Sequence, residues 1–199
     1  MSIVINVLYN NCSYVMSDGL KTDKKVVSDE NFKKFQRLKG NFIIGYTGYA
    51  EYALAIVNNF KVYNNDWNLT HPDEIIHKLI DVAKDIEHAD NQFACILITG
   101  ICNNGKLASY SFSTEDYEIL DSNSVDGNLI IMSIDNHEGN SSHSVIDDLT
   151  DLVVKRSKAI KDINTDKLIL GCMETMIKRV SQIDPTVNDV TFSDFIKLR

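Results

Sequence analysis

The sequence predicts a mixed α+β fold arranged as a four-layer α/β/β/α sandwich, and three features carry that expectation. The 199 residues, 44% hydrophobic and 24% charged, have the proportions of one globular domain spanning 1–199. Only 9 glycines and 2 prolines interrupt the chain, and no Pro/Gly/Ser-rich stretch marks a boundary. The hydrophobic period alternates between strand-like and helix-like in the order ββββ αα ββββ αα β. Two strand blocks, each followed by a helix pair, bury both faces of their sheets when the sheets stack and the helices lie outside. Layer logic alone also allows other two-layer α+β arrangements.

Residues 3–9 are rich in β-branched side chains, Asn10 and Asn11 supply a turn, and 12–17 resume the strand, which reads as a hairpin ended by Asp18-Gly19. A second pair follows at 32–38 and 41–47 across Lys39-Gly40, making four strands before any helix. After Gly48 the period changes. Ala50, Ala53, Leu54, Val57 and Phe60 form one helical stripe, and residues 73–88 form a second helix with seven apolar positions from Ile75 to Ile86. Thr70 with Asp73 supplies its start signal, and Pro72 is tolerated in the first turn. Strands return at 93–101, 106–112, 117–120 and 129–134, helices at 144–161 and 166–183, and a last strand at 190–196.

Subtracting 20 basic from 28 acidic residues gives −8, with the basic residues scattered, which argues against nucleic acid as a partner. No apolar run approaches the ~20 residues of a membrane helix, and the start lacks a signal-peptide pattern, so a cytoplasmic protein away from membranes is expected. Cys12, Cys95, Cys102 and Cys172 contain no Cys-x-x-Cys pair and read as reduced core thiols. His71, His77 and His88, spaced by 6 and 11, do not share a helix face, and His137 with His143 lacks a ligand set, so no metal site is expected.

Four residues stand where chemistry could use them: Ser2 at the mouth of the first strand, Asp18 at the end of the second, Lys34 in the third, and Gly48 where the fourth turns into a helix. Taken singly, each has a plain explanation in turn and surface chemistry. Together with Thr22, the Lys34-Phe35 pair and Thr47-Gly48-Tyr49-Ala50, they resemble the proteasome β-subunit and HslV-type peptidases, which are N-terminal nucleophile hydrolases. The residue match runs without a gap over the first 50 positions, and the likeness in element order extends along the whole chain.

The resemblance implies that Ser2, after removal of Met1, attacks a peptide carbonyl while its own α-amine takes the hydroxyl proton. An α-amine near pKa ~7.7–8.0 has a neutral fraction at physiological pH that a lysine near ~10.4 lacks. Lys34 as an ammonium would favour the attacking alkoxide, Asp18 would keep Lys34 charged and aimed, and the Gly48 N–H would donate to the oxyanion. The same resemblance maps Ser133 and Asp184 onto supporting catalytic positions, although Ser133 lacks flanking glycines and Val187 replaces a serine that usually accompanies the aspartate. Lys21, Thr22, Phe32, Gln36, Tyr46, Ala50 and Leu54 map onto substrate-binding positions, and the two aromatics should favour slender side chains. Lys34→Ala is expected to stop turnover while the chain still folds, since no large apolar cavity opens.

No cofactor is implied. The partners implied are a peptide or unfolded protein substrate, further copies of the chain in a homo-oligomeric ring of six or seven, and an ATP-dependent unfoldase. The breadth of the apolar face on 73–88 adds an expectation that a neighbouring copy covers it. Alternative readings are a catalytically silent structural or binding subunit, and an amidase of the same superfamily acting on a non-peptide substrate.

Overall fold

The computed structural model describes residues 2–23, 26–39, 41–64, 71–89, 92–123, 128–135, 141–159 and 164–198. In chain order the elements are β1 (Ile3–Tyr9), β2 (Cys12–Asp18), β3 (Lys21–Asp23), β4 (Val26–Asp29), β5 (Phe35–Leu38), β6 (Phe42–Gly48), α1 (Ala50–Asn64), α2 (Pro72–Asp85), β7 (Ala94–Ile101), β8 (Leu107–Ser113), β9 (Leu120–Asn123), β10 (Ile130–Asp135), α3 (Ser141–Ala159), α4 (Thr165–Ile183) and β11 (Thr191–Lys197). The fold is mixed α+β with antiparallel sheets. Among the described residues no helix is long and apolar enough to cross a membrane.

The sheets do not follow the two strand blocks read along the sequence. One has the order β10-β1-β2-β11 and the other β5-β6-β7-β8-β9, so the first block is divided between them and β10 leaves its sequence neighbours to pair with β1. Three apolar clusters account for this arrangement. Ile44, Tyr46, Ile96 and Ile98 of the five-stranded sheet meet Ile56, Phe60, Ile76 and Leu79 of α1 and α2. Ile3, Ile5, Tyr14 and Met16 of the four-stranded sheet meet Leu149, Ile169, Met173 and Ile177 of α3 and α4. The third cluster joins the sheets, with Val4, Leu8, Val15, Met132 and Ile134 against Phe35, Ile43 and Leu97. Strands β1 and β6 therefore bury both faces, which is why neither shows a clean apolar/polar alternation.

Several local expectations are corrected. Six strands, not four, precede α1 among the described residues, because the short hairpin β3–β4 carries Val26 and Val27 exposed and offers no apolar alternation to read. The strand expected at 117–120 begins only at Leu120, since Tyr117 takes a positive φ of 60° and donates its N–H to Ser113 O to close a turn. The α2 cap position is held by His71, with Pro72 starting the helix, whereas Thr70, like Gly40 of the expected 39–40 turn, lies outside the described residues. Ile75, Ile76, Leu79, Ile80, Val82 and Ala83 are all buried within the chain itself, so the breadth of that face gives no argument for a covering partner. All four cysteines are thiols, Cys12 and Cys172 buried but Cys95 and Cys102 only half-buried. Burial pushes the thiols of Cys12, Cys102 and Cys172 above the ordinary range.

Candidate active site

The site forms where the Ser2 end of β1 meets the end of β6. Asp18, the last residue of β2, is fully buried, and its carboxylate has three neighbours. Oδ1 accepts the Ile3 N–H at 2.9 Å, Oδ2 accepts the Leu20 N–H at 3.1 Å, and Lys34 Nζ lies 2.5 Å from Oδ2. The carboxylate thus ties the backbone next to Ser2 to the lysine. Lys34 is held in turn by its own backbone, because its carbonyl accepts the Tyr46 N–H at 2.9 Å and extends the β5/β6 ladder by one pair.

The ion pair is almost dry, with side-chain exposures of 3% for Lys34 and 0% for Asp18. Burial lowers the Lys34 pKa and the Asp18 charge raises it, burial being the larger influence. Asp18 Oδ2 takes up one side of the ammonium, and no other acceptor meets Nζ among the described residues. It therefore retains protons to donate into the space beside it.

Gly48 ends β6 with φ +92°, a conformation that side chains rarely adopt. A Cβ there would lie 2.4 Å from Phe93 O and 2.9 Å from Ala94 Cα. Two bonds fix the direction of its N–H. Tyr49 N–H donates to Phe93 O on the β7 side, while Tyr46 N–H donates to Lys34 O on the β5 side. By the alternation of an antiparallel ladder the Gly48 N–H faces the β5 side, and β5 begins only at Phe35. Its partner strand has run out, so the donor is turned towards the segment that carries Lys34.

These groups open on one cleft that brings Ser2, Lys34 and Gly48 together. Of the expected substrate contacts, Lys21, Thr22, Phe32, Tyr46 and Ala50 line it, and Leu20 and Thr47 join them. Phe32 meets Tyr46 edge-on at 6.3 Å between ring centroids, with the Tyr46 hydroxyl donating to Lys33 O. Gln36 and Leu54 are not in the lining. Gln36 accepts from Lys61 Nζ and lies behind the wall, and Leu54 packs against the α1/α2 core.

Two further site expectations fall away from the cleft. The β1/β10 register, with Ile3 opposite Asp135, sets Ser133 opposite Ile5, two pairs further from the Ser2 end. Asp184 caps the end of α4, where its Oδ1 accepts the Thr186 N–H at 2.8 Å and the Thr186 hydroxyl at 2.6 Å. Val187 is buried in the α3/α4 core. The turn after α4 still braces the site through Asn188, which sequence reasoning missed: it accepts the Gly19 N–H at 2.8 Å and donates to Glu30 O at 2.9 Å. Met1 lies outside the described residues.

The dry pair also corrects the expectation for Lys34→Ala. No large apolar cavity would open, but the change would leave the Asp18 carboxylate buried without its counter-charge, which typically costs about 3–5 kcal/mol.

No protein-family model matches the sequence. No curated protein matches it significantly. Among solved structures, eukaryotic HslV from Trypanosoma brucei is similar over 98% of this chain and 99% of its own, with a TM-score of 0.63 and 12% identity. Anbu, an ancestral beta-subunit from Yersinia bercovieri, is similar over 98% of this chain and 81% of its own, with a TM-score of 0.69 and 12% identity. The class is thus a mixed α+β fold with antiparallel sheets and, among the described residues, four helices. Within that class, the chain has a proteasome/HslV-like fold.

Proposed function

We propose that the chain is a proteasome/HslV-type peptidase whose amino-terminal nucleophile is Ser2. The observation that carries this reading is the gathering of Ser2, the Lys34–Asp18 pair and the Gly48 N–H at one cleft. In the acting form Met1 is absent and Ser2 bears a free α-amine. That amine takes the Ser2 hydroxyl proton as Oγ bonds to the substrate carbonyl carbon, and Gly48 N–H stabilises the oxyanion, a contribution of about 2.7–4 kcal/mol where such donors have been removed. The proton passes to the leaving amine as the C–N bond breaks. Water then hydrolyses the acyl-Ser2 ester, releasing a carboxylate and restoring the hydroxyl. The Lys34 ammonium, held by Asp18, stabilises the developing alkoxide.

The chain is read as one domain, its three cores supporting a helix pair, two sheets and a second helix pair as four stacked layers. A homo-oligomeric ring in the cytoplasm, supplied with peptide or unfolded protein by an ATP-dependent unfoldase, follows from the same resemblance. The description of Anbu as a beta-subunit supports the assembly part. A second reading, a catalytically silent subunit, is favoured by the placement of Ser133 outside the cleft and of Val187 in the core.

A panel of fluorogenic peptides separates the two readings, read beside intact mass and the Ser2→Ala protein. The peptidase reading expects loss of one methionine, turnover, and no turnover in Ser2→Ala. A folded, Met1-free protein that cleaves no member of the panel favours the silent subunit, and turnover that survives Ser2→Ala requires a different nucleophile.

A further inference from the structure

We propose that this cleft selects a substrate with an acidic side chain, bound by Lys21; its position beside the reacting carbonyl rests on the peptidase reading above. Among the described residues the cleft lining contains two cations, Lys21 and Lys34, and no carboxylate. Their situations differ. Lys34 is compensated by Asp18 at 2.5 Å, whereas Lys21 forms no ion pair among the described residues. Asp29 stands opposite Lys21 in the β3/β4 ladder, yet its Oδ1 accepts the Asn31 N–H at 2.8 Å and no ion pair with Lys21 forms.

The ammonium of Lys21 is positioned, as well as being without an ion pair among the described residues. It lies 5.4 Å from the centroid of the Phe32 ring, and Phe32 in turn packs on Tyr46. Lys21 is half-buried, so its field within the cleft is less screened than that of a surface lysine. The chain as a whole carries −8, which repels an acidic ligand elsewhere and leaves this cleft as an attractive exception. The two rings narrow the pocket without supplying a negative group, so a slender acidic side chain fits both its shape and its charge. A basic side chain there would meet the Lys21 ammonium.

The test measures binding separately from turnover. Fluorescently labelled, amide-capped tetrapeptides of three alanines followed by aspartate or asparagine are titrated against full-chain Ser2→Ala protein at low and high salt. The aspartate peptide should bind about tenfold more tightly, the low end for a hydrogen bond to a charged partner. The preference should shrink with salt, vanish in Lys21→Met and persist in Lys21→Arg, with thermal melting showing that each variant is folded. Equal binding of the two peptides, binding of neither, or a preference that survives Lys21→Met overturns the proposal. Turnover by the wild-type chain is read independently. Cleavage after neutral residues without an acidic preference sinks this inference and leaves the peptidase reading standing, whereas acidic-selective binding without turnover does the reverse.

Discussion

Two groups of polar side chains are buried in this molecule, and they are satisfied to very different degrees. In the middle of the sheet-to-sheet interface, Asn6 Nδ2 donates to Ser13 Oγ at 2.8 Å and to Tyr14 O at 3.0 Å. Ser13 Oγ lies 2.8 Å from Thr99 Oγ1, and Ser109 Oγ lies within hydrogen-bond distance of both Thr99 Oγ1 and Asn6 Oδ1, with one proton to give to either. This network links β1 and β2 to β7 and β8. At the Ser2 end, Thr47 Oγ1 and the Ser17 hydroxyl next to Asp18 are just as buried but have no hydrogen-bond partner among the described residues, and Lys34 Nζ has its ion pair with Asp18 and no other partner among them. Native interiors seldom leave such groups unmet, because each costs roughly 1–3 kcal/mol. The first network fixes how the sheets meet; the second keeps donors ready at the cleft, at a cost in stability.

The sharpest way to break this contrast is Lys34→Ala, which should lower stability by about 3–5 kcal/mol in urea titration by stranding the Asp18 charge. The double change Asp18→Asn/Lys34→Met should recover only part of that loss, because the Asn amide nitrogen cannot accept the second of the Ile3 and Leu20 N–H groups. A single variant with the wild-type urea midpoint would mean that the pair is not the dry one described. Next in size is Thr99→Val, which removes the hydroxyl shared by Ser13, Ser109 and Ala108 O and should cost about 1–3 kcal/mol.

A smaller effect lies in the pH dependence. Burial holds the Lys34 pKa below its ordinary 10.5, so between the folded value and 10.5 the unfolded chain binds more protons. Stability from this group therefore rises with pH through that window and is at its lowest, and level, below it. Asp18→Asn removes the influence that raises the pKa, so the lysine should titrate lower still by NMR of its side-chain carbon. An upward movement would contradict the assignment. The last change, Thr47→Val, removes a buried hydroxyl that has no hydrogen-bond partner among the described residues, so stability should hold or rise, by up to about 1–3 kcal/mol. If it destabilised as much as Thr99→Val, the distinction between the two regions would disappear.

Much of this was legible along the chain. β-branched side chains and turn residues marked β1 and β2, the helical stripe marked α1, and the resemblance carried by Ser2, Asp18, Lys34 and Gly48 pointed to three residues that line one cleft and to the carboxylate paired with Lys34. Such signals are local, because side-chain period and turn chemistry act over a few residues. Pairing across the chain carries no comparable mark. The division of the first strand block between two sheets, the pairing of β10 with β1, and the register that sets Ser133 opposite Ile5 were decided by which apolar faces could be buried together. The same holds for charge. Lys21 and Lys34 carry the same charge in the sequence, and only the folded chain gives one a buried carboxylate at 2.5 Å and leaves the other in the cleft lining with no ion pair among the described residues, because an ion pair depends on distances that folding alone creates.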